Sequence, residues 1–113
     1  MIKLQKFEIE FIEHTGLSMQ AEGLPKIAGQ IFGLLILNEK PISFSVLVET
    51  LQVSRASIST NTRLLEKFGA LERVCVMGER QAHFKLPKNP YTLMVESYTN
   101  RMVSHLDAIE GSV

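Results

Sequence analysis

The stretch PISFSVLVETLQVSRASISTNTRLLEKFGALERVCVMGERQAHFKL, residues 41–86, decides how this chain folds. Ser43 is a good N-cap for a helix over Phe44–Leu51, with Ile42 and Leu47 placed to form a hydrophobic staple. The pattern then repeats. Ser54 caps a second helix, and Val53 and Ile58 can staple it. Only Gln52 and Val53 separate the end of one helix from the cap of the next. That leaves no room for a relaxed connection, so the turn must be sharp, as in a helix-turn-helix. Gly69 ends the second helix. Beyond it Leu71–Met77 alternates, with Val74 and Val76 expected inward and Arg73, Cys75 and Met77 outward. Gly78-Glu79-Arg80 reads as a turn. Ala82, Phe84 and Leu86 form the inward face of a return strand, with Gln81, His83 and Lys85 outward, before Pro87 and Pro90 break the chain.

Working outward, residues 2–14 carry Leu4, Phe7 and Phe11 at helical spacing, with Ile2, Ile9 and Ile12 beside them. A helix is expected there, with Gly16 as its stop; the alternation of Phe7, Ile9 and Phe11 also admits a strand. Another helix should start at Pro25. Ile27, Ile31, Leu34 and Leu35 share its apolar face, and Gly29 and Gly33 suit close packing against another helix. Asn38 is expected to end it in a left-handed conformation, and Pro41 blocks continuation. The last segment, Tyr91 to Glu110, steps Tyr91, Val95, Tyr98, Met102, His105 and Ile109, a heptad seam. The expectation is a mainly α single domain with a small β-hairpin wing, a winged helix-turn-helix with N- and C-terminal dimerisation helices. Residues 1–22 form the N-terminal helix, 23–88 the core and 89–113 the C-terminal helix.

The 113 residues carry equal numbers of acidic and basic groups, but unevenly. Residues 54–88 hold seven Lys and Arg against three Glu, net +4, while 1–22 and 89–113 are each −2. A local basic patch of this kind is the electrostatic footprint that a phosphate backbone needs. The helix over 54–68 bears Arg55, Ser57, Ser59, Thr60, Asn61 and Arg63 away from the expected core positions Ile58, Leu65 and Phe68, with Ala56 and Leu64 nearby. Short polar side chains let a helix sit deep in a major groove, Arg can pair with guanine, and Asn with adenine. The candidate DNA contacts are therefore Ser54, Arg55, Ser57, Ser59, Thr60, Asn61 and Arg63 on the helix. On the wing, residues 73–85, they are Arg73, Arg80, Gln81 and Lys85. Arg80 is expected on the backbone or in the minor groove.

Nothing in the sequence suggests catalysis, and no cofactor or metal is expected. His14, His83 and His105 have no ligand-spaced partner, and Cys75 lacks a CxxC mate. Cys75 reads as a half-buried structural residue, with redox sensing as the sharper alternative. A single cysteine, an apolar run of only Ile31–Leu37, and glutamates at 8, 10 and 13 where a signal peptide would be apolar all favour a cytoplasmic protein without a membrane segment.

In its order of elements the chain resembles the GbsR-type branch of the MarR superfamily, over roughly residues 8–95. The parts that carry the resemblance are GLPKIAGQIFGLL (23–35), SRASIST (54–60) and the wing's GER (78–80). The resemblance implies a homodimeric transcriptional regulator that binds double-stranded operator DNA and responds to a small-molecule effector. It places Ser54, Arg55, Ser57, Ser59, Thr60 and Asn61 at base and phosphate contacts, and Arg80 at the wing arginine. Two other readings of the residues stay open. One is a winged-helix protein-interaction module. The other is a small-molecule sensor that does not itself read DNA, with Phe7, Phe11, Tyr91 and Tyr98 as pocket walls.

Overall fold

The computed structural model describes residues 2–88. Among them run α1 (Lys6–Ala21), α2 (Lys26–Ile36), β1 (Ile42–Ser43), α3 (Phe44–Leu51), α4 (Arg55–Lys67), β2 (Glu72–Val74) and β3 (His83–Lys85). The strands form one antiparallel sheet in the order β1-β3-β2. The seam expected over Tyr91–Ile109 and the walls Tyr91 and Tyr98 lie outside the described residues.

Helix α1 begins where the Glu8 side chain accepts a hydrogen bond from the Gln5 N–H at 3.0 Å. It runs straight through Gly16, which the sequence suggested as its stop, and ends five residues later. The reason is tertiary. Gly16 is buried where α2 crosses α1, and a Cβ at Gly29 would stand 2.6 Å from the Gly16 Cα and the Thr15 carbonyl oxygen. A Cβ at Gly33 would lie less tightly, 3.2 Å from the Thr15 side chain and 3.3 Å from the Ile12 Cα. Two backbones in contact gain dispersion energy that a side chain at either place would prevent. The actual stop is Gly23, whose φ of +87° suits glycine. There Leu24 N–H bonds Met19 O and Gly23 N–H bonds Gln20 O, both at 3.0 Å.

The buried residues of α1 are Ile12, Gly16 and Met19, whereas Phe7 is 64% exposed and Ile9, Phe11 and Leu17 also face solvent. The apolar face expected around Phe7 and Phe11 is therefore not the one packed on the core. A cleft of about 300 Å³ opens elsewhere, beside β1, between Ile2, Lys40, Pro41, Val46 and His83.

Helix α2 is buried along most of its circumference, from Ala28 to Leu35 except for Gln30, because it packs against both α1 and α4. Pro25 is its N-cap, and its carbonyl accepts from Ala28 N–H at 3.1 Å. Asn38 does not adopt the left-handed conformation expected of it. It instead donates its side-chain amide to the Leu34 carbonyl at 2.9 Å, which satisfies an end carbonyl without unusual backbone. Ile31, Leu34, Leu35, Leu47, Ile58, Leu65 and Phe84 form the fully buried centre. Each such side chain contributes about 1.5–3 kcal/mol of transfer free energy.

The two capped helices form as the sequence indicated. Ser43 Oγ accepts from Val46 N–H at 3.2 Å and Ser54 Oγ from Ser57 N–H at 3.1 Å. The sharp turn falls at Gln52, which takes a left-handed φ of 56°. A two-residue strand at Ile42–Ser43, not read from the sequence, ties α3 to the sheet through Ile42 opposite Phe84 and Ser43 opposite His83.

The wing differs in register from the expected alternation. Arg73 lies opposite Phe84, and Val74 opposite His83. Residues directly opposite share a face, so Arg73 belongs to the face expected to be apolar. Its guanidinium carbon sits over the Phe84 ring, 5.2 Å from the centroid. An arginine stem can cover apolar surface while its head reaches water, which is why a charged residue is tolerated there. His83 and Phe84 are both buried because β3 is the middle strand.

Candidate nucleic-acid interface

The site is built on α4 and the wing. Along α4, Ile58, Thr62 and Leu65 turn inward. Thr62 satisfies its hydroxyl within the helix by donating to Ile58 O at 2.7 Å. Arg55, Ala56, Thr60, Arg63 and Lys67 are exposed, and Ser59 is half-buried beside them. Ala56, Thr60, Arg63 and Lys67 step 4, 3 and 4, so they form one stripe down the helix. Sequence reasoning placed Ala56 near the core and passed over Lys67. The 4-3-4 spacing was the signal that could have found both. Phe68, read as a core residue, is half-buried.

Asn61 is the main correction among the helix residues. It is only 6% exposed, its Nδ2 donates to Ser57 O at 2.8 Å, and its Oδ1 is buried without a partner among the described residues. A side chain in that position does not reach a base edge. Ser57 is half-buried and engaged at the cap, where Ser54 Oγ donates to Ser57 Oγ at 3.0 Å. Ser54 itself is exposed. Arg55 follows the cap, with its guanidinium carbon 4.7 Å from the centroid of the Phe44 ring on α3.

The root of the wing is bound to the start of α3. The first three N–H groups of that helix have no partners within it. Phe44 N–H donates to Ala82 O at 2.9 Å, Ser45 N–H to Gln81 Oε1 at 2.9 Å, and Val46 N–H to its own cap at Ser43. Gln81, expected outward as a DNA contact, therefore closes a helix end. His83 Nδ1 lies 3.3 Å from Gln81 O.

Between Val74 and His83 the wing leaves the ladder. Its apex is the turn closed by Glu79 N–H on Val76 O at 3.0 Å, with Gly78 at φ +85°. The apex is thus Met77-Gly78, one residue earlier than expected, and Met77 is fully exposed, at 101%. Arg80 stands exposed on the returning arm. Cys75 is exposed too, not the half-buried structural cysteine that was expected.

Two of the predicted wing cations are engaged. Arg73 pairs with Glu66 of α4 at 3.5 Å in addition to its contact with Phe84, and Lys85 approaches Glu72 at 4.0 Å across the strands. Among the described residues Arg55, Arg63, Lys67, Arg80 and Lys88 have no carboxylate within ion-pair distance. The net positive charge read over 54–88 therefore concentrates on these five. Away from this surface, Lys26 pairs with Glu13 at 2.9 Å, and Gln30 Nε2 also donates to Glu13. The hydrogen bond from Lys26 lowers the Glu13 carboxyl from its ordinary value; burial opposes this to a lesser degree, and the hydrogen bond from Gln30 and the Lys26 charge add to the lowering. Among the described residues no three His, Cys, Asp or Glu side chains are grouped to hold a metal ion.

A crystal structure of a transcriptional regulator superposes on this chain with a TM-score of 0.78 at 31% identity, over 91% of this chain and 70% of that one. The chain belongs to the winged helix-turn-helix transcriptional regulators. Over 84 residues this chain is 36% identical to the HTH-type transcriptional regulator MmpR5 of Mycobacterium tuberculosis, covering 74% of this chain and 51% of that protein. It is 23% identical over 95 residues to the HTH-type transcriptional repressor OpcR of Bacillus subtilis, covering 84% and 51%. The chain thus spans about half the length of the curated relatives it matches. MepR, a transcription regulator of the Staphylococcus aureus multidrug efflux pump MepA, shares the fold with a TM-score of 0.58 at 16% identity, over 95% of this chain and 78% of that one. A MepR variant has been solved bound to an oligodeoxyribonucleotide. No family model matches the chain. No helix among the described residues is long and apolar enough to cross a membrane.

Proposed function

We propose that this chain is a sequence-specific transcription regulator of the GbsR-type branch, acting on double-stranded DNA as a homodimer. The observation that carries this reading is the outward stripe of α4. Ala56, Thr60, Arg63 and Lys67, flanked by Arg55 and Ser59, combine short side chains with cations that no carboxylate neutralises among the described residues. A helix so surfaced can enter a major groove. Its Arg can reach guanine, its hydroxyls phosphate or base edges, and the Ala56 methyl the thymine methyl. Ser54 at the cap faces phosphate, and Arg80 reaches the backbone or the neighbouring minor groove.

Exposed Phe7, Ile9, Phe11 and Leu17 on α1 support a dimer formed partly through that helix. In a two-fold dimer the paired α4 helices would lie about 34 Å apart, one turn of the duplex. A small-molecule effector belongs to the same reading. A protein-docking role would favour an apolar or acidic face on α4, and that face is polar and basic.

The test is fluorescence-anisotropy titration on DNA from the region upstream of the protein's own gene, with scrambled DNA as competitor, across a salt series. The expected result is selective binding whose log affinity falls linearly with log salt, at about 0.9 per phosphate neutralised. A folded protein that binds the two DNAs equally at every salt concentration overturns the reading.

A further inference from the structure

We infer that Phe44 is a positioning residue for the candidate recognition helix, holding the Arg55 guanidinium in one pose without neutralising it. This rests on the DNA-binding reading above. Arg55 is the first residue of α4, and it is exposed. A free arginine there would sample many rotamers and lose that freedom on binding. Its guanidinium carbon instead sits 4.7 Å from the centroid of the Phe44 ring. A carboxylate in that place would restrain the arginine equally well but would cancel its charge. Among the described residues no carboxylate does so. A ring face restrains the cation through its quadrupole and leaves the outward N–H groups and the full charge for a phosphate or a guanine edge.

The backbone that carries the ring is itself anchored to the wing root. Phe44 N–H donates to the Ala82 carbonyl at 2.9 Å, and the next N–H, of Ser45, donates to Gln81. Phe44 is only partly buried against the core, which leaves part of its ring accessible to Arg55. Wing root, Phe44 and Arg55 thus form a continuous chain of contacts from the hairpin to the first turn of α4.

Two measurements test this on the whole protein. The first needs no DNA: NMR relaxation of the Arg55 Nε–Hε group. The expected result is a restrained Arg55 in the wild type that becomes mobile in Phe44→Met, which keeps the apolar bulk and removes the ring face. Equal mobility in the two proteins overturns the proposal, whatever the protein does to DNA. The second is a titration on the wild type's selected site and on single base-pair variants of it. Phe44→Met should bind the selected site about two- to five-fold more weakly. It should also lose preference at the same base pair as Arg55→Ala, and Phe44→Tyr should restore both. The double variant should be no weaker than Arg55→Ala alone. A Phe44→Met loss that is uniform over all sites, or that adds in full to Arg55→Ala, makes Phe44 merely structural. A wild type without site preference defeats the DNA reading itself, which the relaxation measurement does not depend on.

Discussion

The side chain of Gln81, at the root of the wing, accepts a hydrogen bond from the backbone N–H of Ser45, 36 residues earlier in the chain, at 2.9 Å. The bond closes the N-terminus of α3 and fixes the hairpin to the helix-turn-helix unit. Gln81→Ala leaves one helix-end donor unpaired and should cost about 1 kcal/mol of stability. Gln81→Glu keeps an acceptor and places negative charge at a helix N-terminus, so it should retain stability at neutral pH. Chemical denaturation of the three proteins checks this. Equal losses in both variants would show that the bond contributes nothing.

The crossing of α1 and α2 gives a sharper expectation. Gly29→Ala puts a methyl carbon 2.6 Å from backbone atoms of Thr15 and Gly16, which cannot rotate away. The helices must separate, at a cost of about 1–3 kcal/mol or more. Gly23→Ala meets nothing within 4 Å and suffers only from its φ of +87°, about 1 kcal/mol. Thermal unfolding should rank wild type above Gly23→Ala above Gly29→Ala.

The wing arginines should separate by phenotype. Arg80→Ala should weaken DNA binding and lower the salt slope by about one unit, with stability unchanged. Arg73→Ala loses its contacts with Glu66 and Phe84, so it should cost about 1 kcal/mol of stability and leave the salt slope unaltered. A flattened slope in Arg73→Ala, with none in Arg80→Ala, would reverse these assignments.

Glu13 predicts a pH dependence. Its carboxyl is held below its usual pKa, chiefly by the hydrogen bond from Lys26. Between the folded and unfolded values the unfolded chain binds more protons. The contribution of Glu13 is therefore complete above the ordinary carboxylate pKa and disappears as the pH falls through the lower folded value. Glu13→Gln should flatten this part of the acid limb of the stability curve and lose little more at low pH. The pair is half-exposed, so the effect should shrink with added salt.

What the sequence made legible was local. Ser43 and Ser54 announce their helices because a cap acts within one turn. Gly69 ends α4 for the same reason, its N–H bonding Glu66 O at 3.0 Å. Misreadings arose where a distant element decided the outcome. Gly16 looks like a stop until α2 lies across it. The β1 pairing with Phe84 and His83 spans some forty residues and has only two residues of its own to show. The wing's register followed from Arg73 covering Phe84, which an apolar-polar alternation cannot represent. On α4 the sequence shows which residues are polar but not how the helix is turned about its axis. Which of them point outward depends on a rotation of one residue, and that rotation turns Asn61 inward and Ala56 outward.

The backbone contact between Gly16 and Gly29 has a geometrical consequence for assembly. Helix α1 offers apolar side chains to solvent, α2 touches both α1 and α4, and where α2 crosses α1 at Gly29 the nearest atoms are backbone, with no side chain between them to deform. In a dimer joined through α1, the distance between the two reading heads would be set by a stack of three helices whose tightest layer is two glycines thick. Those glycines would act as a ruler, making the pitch of the operator a property of residues that never approach DNA.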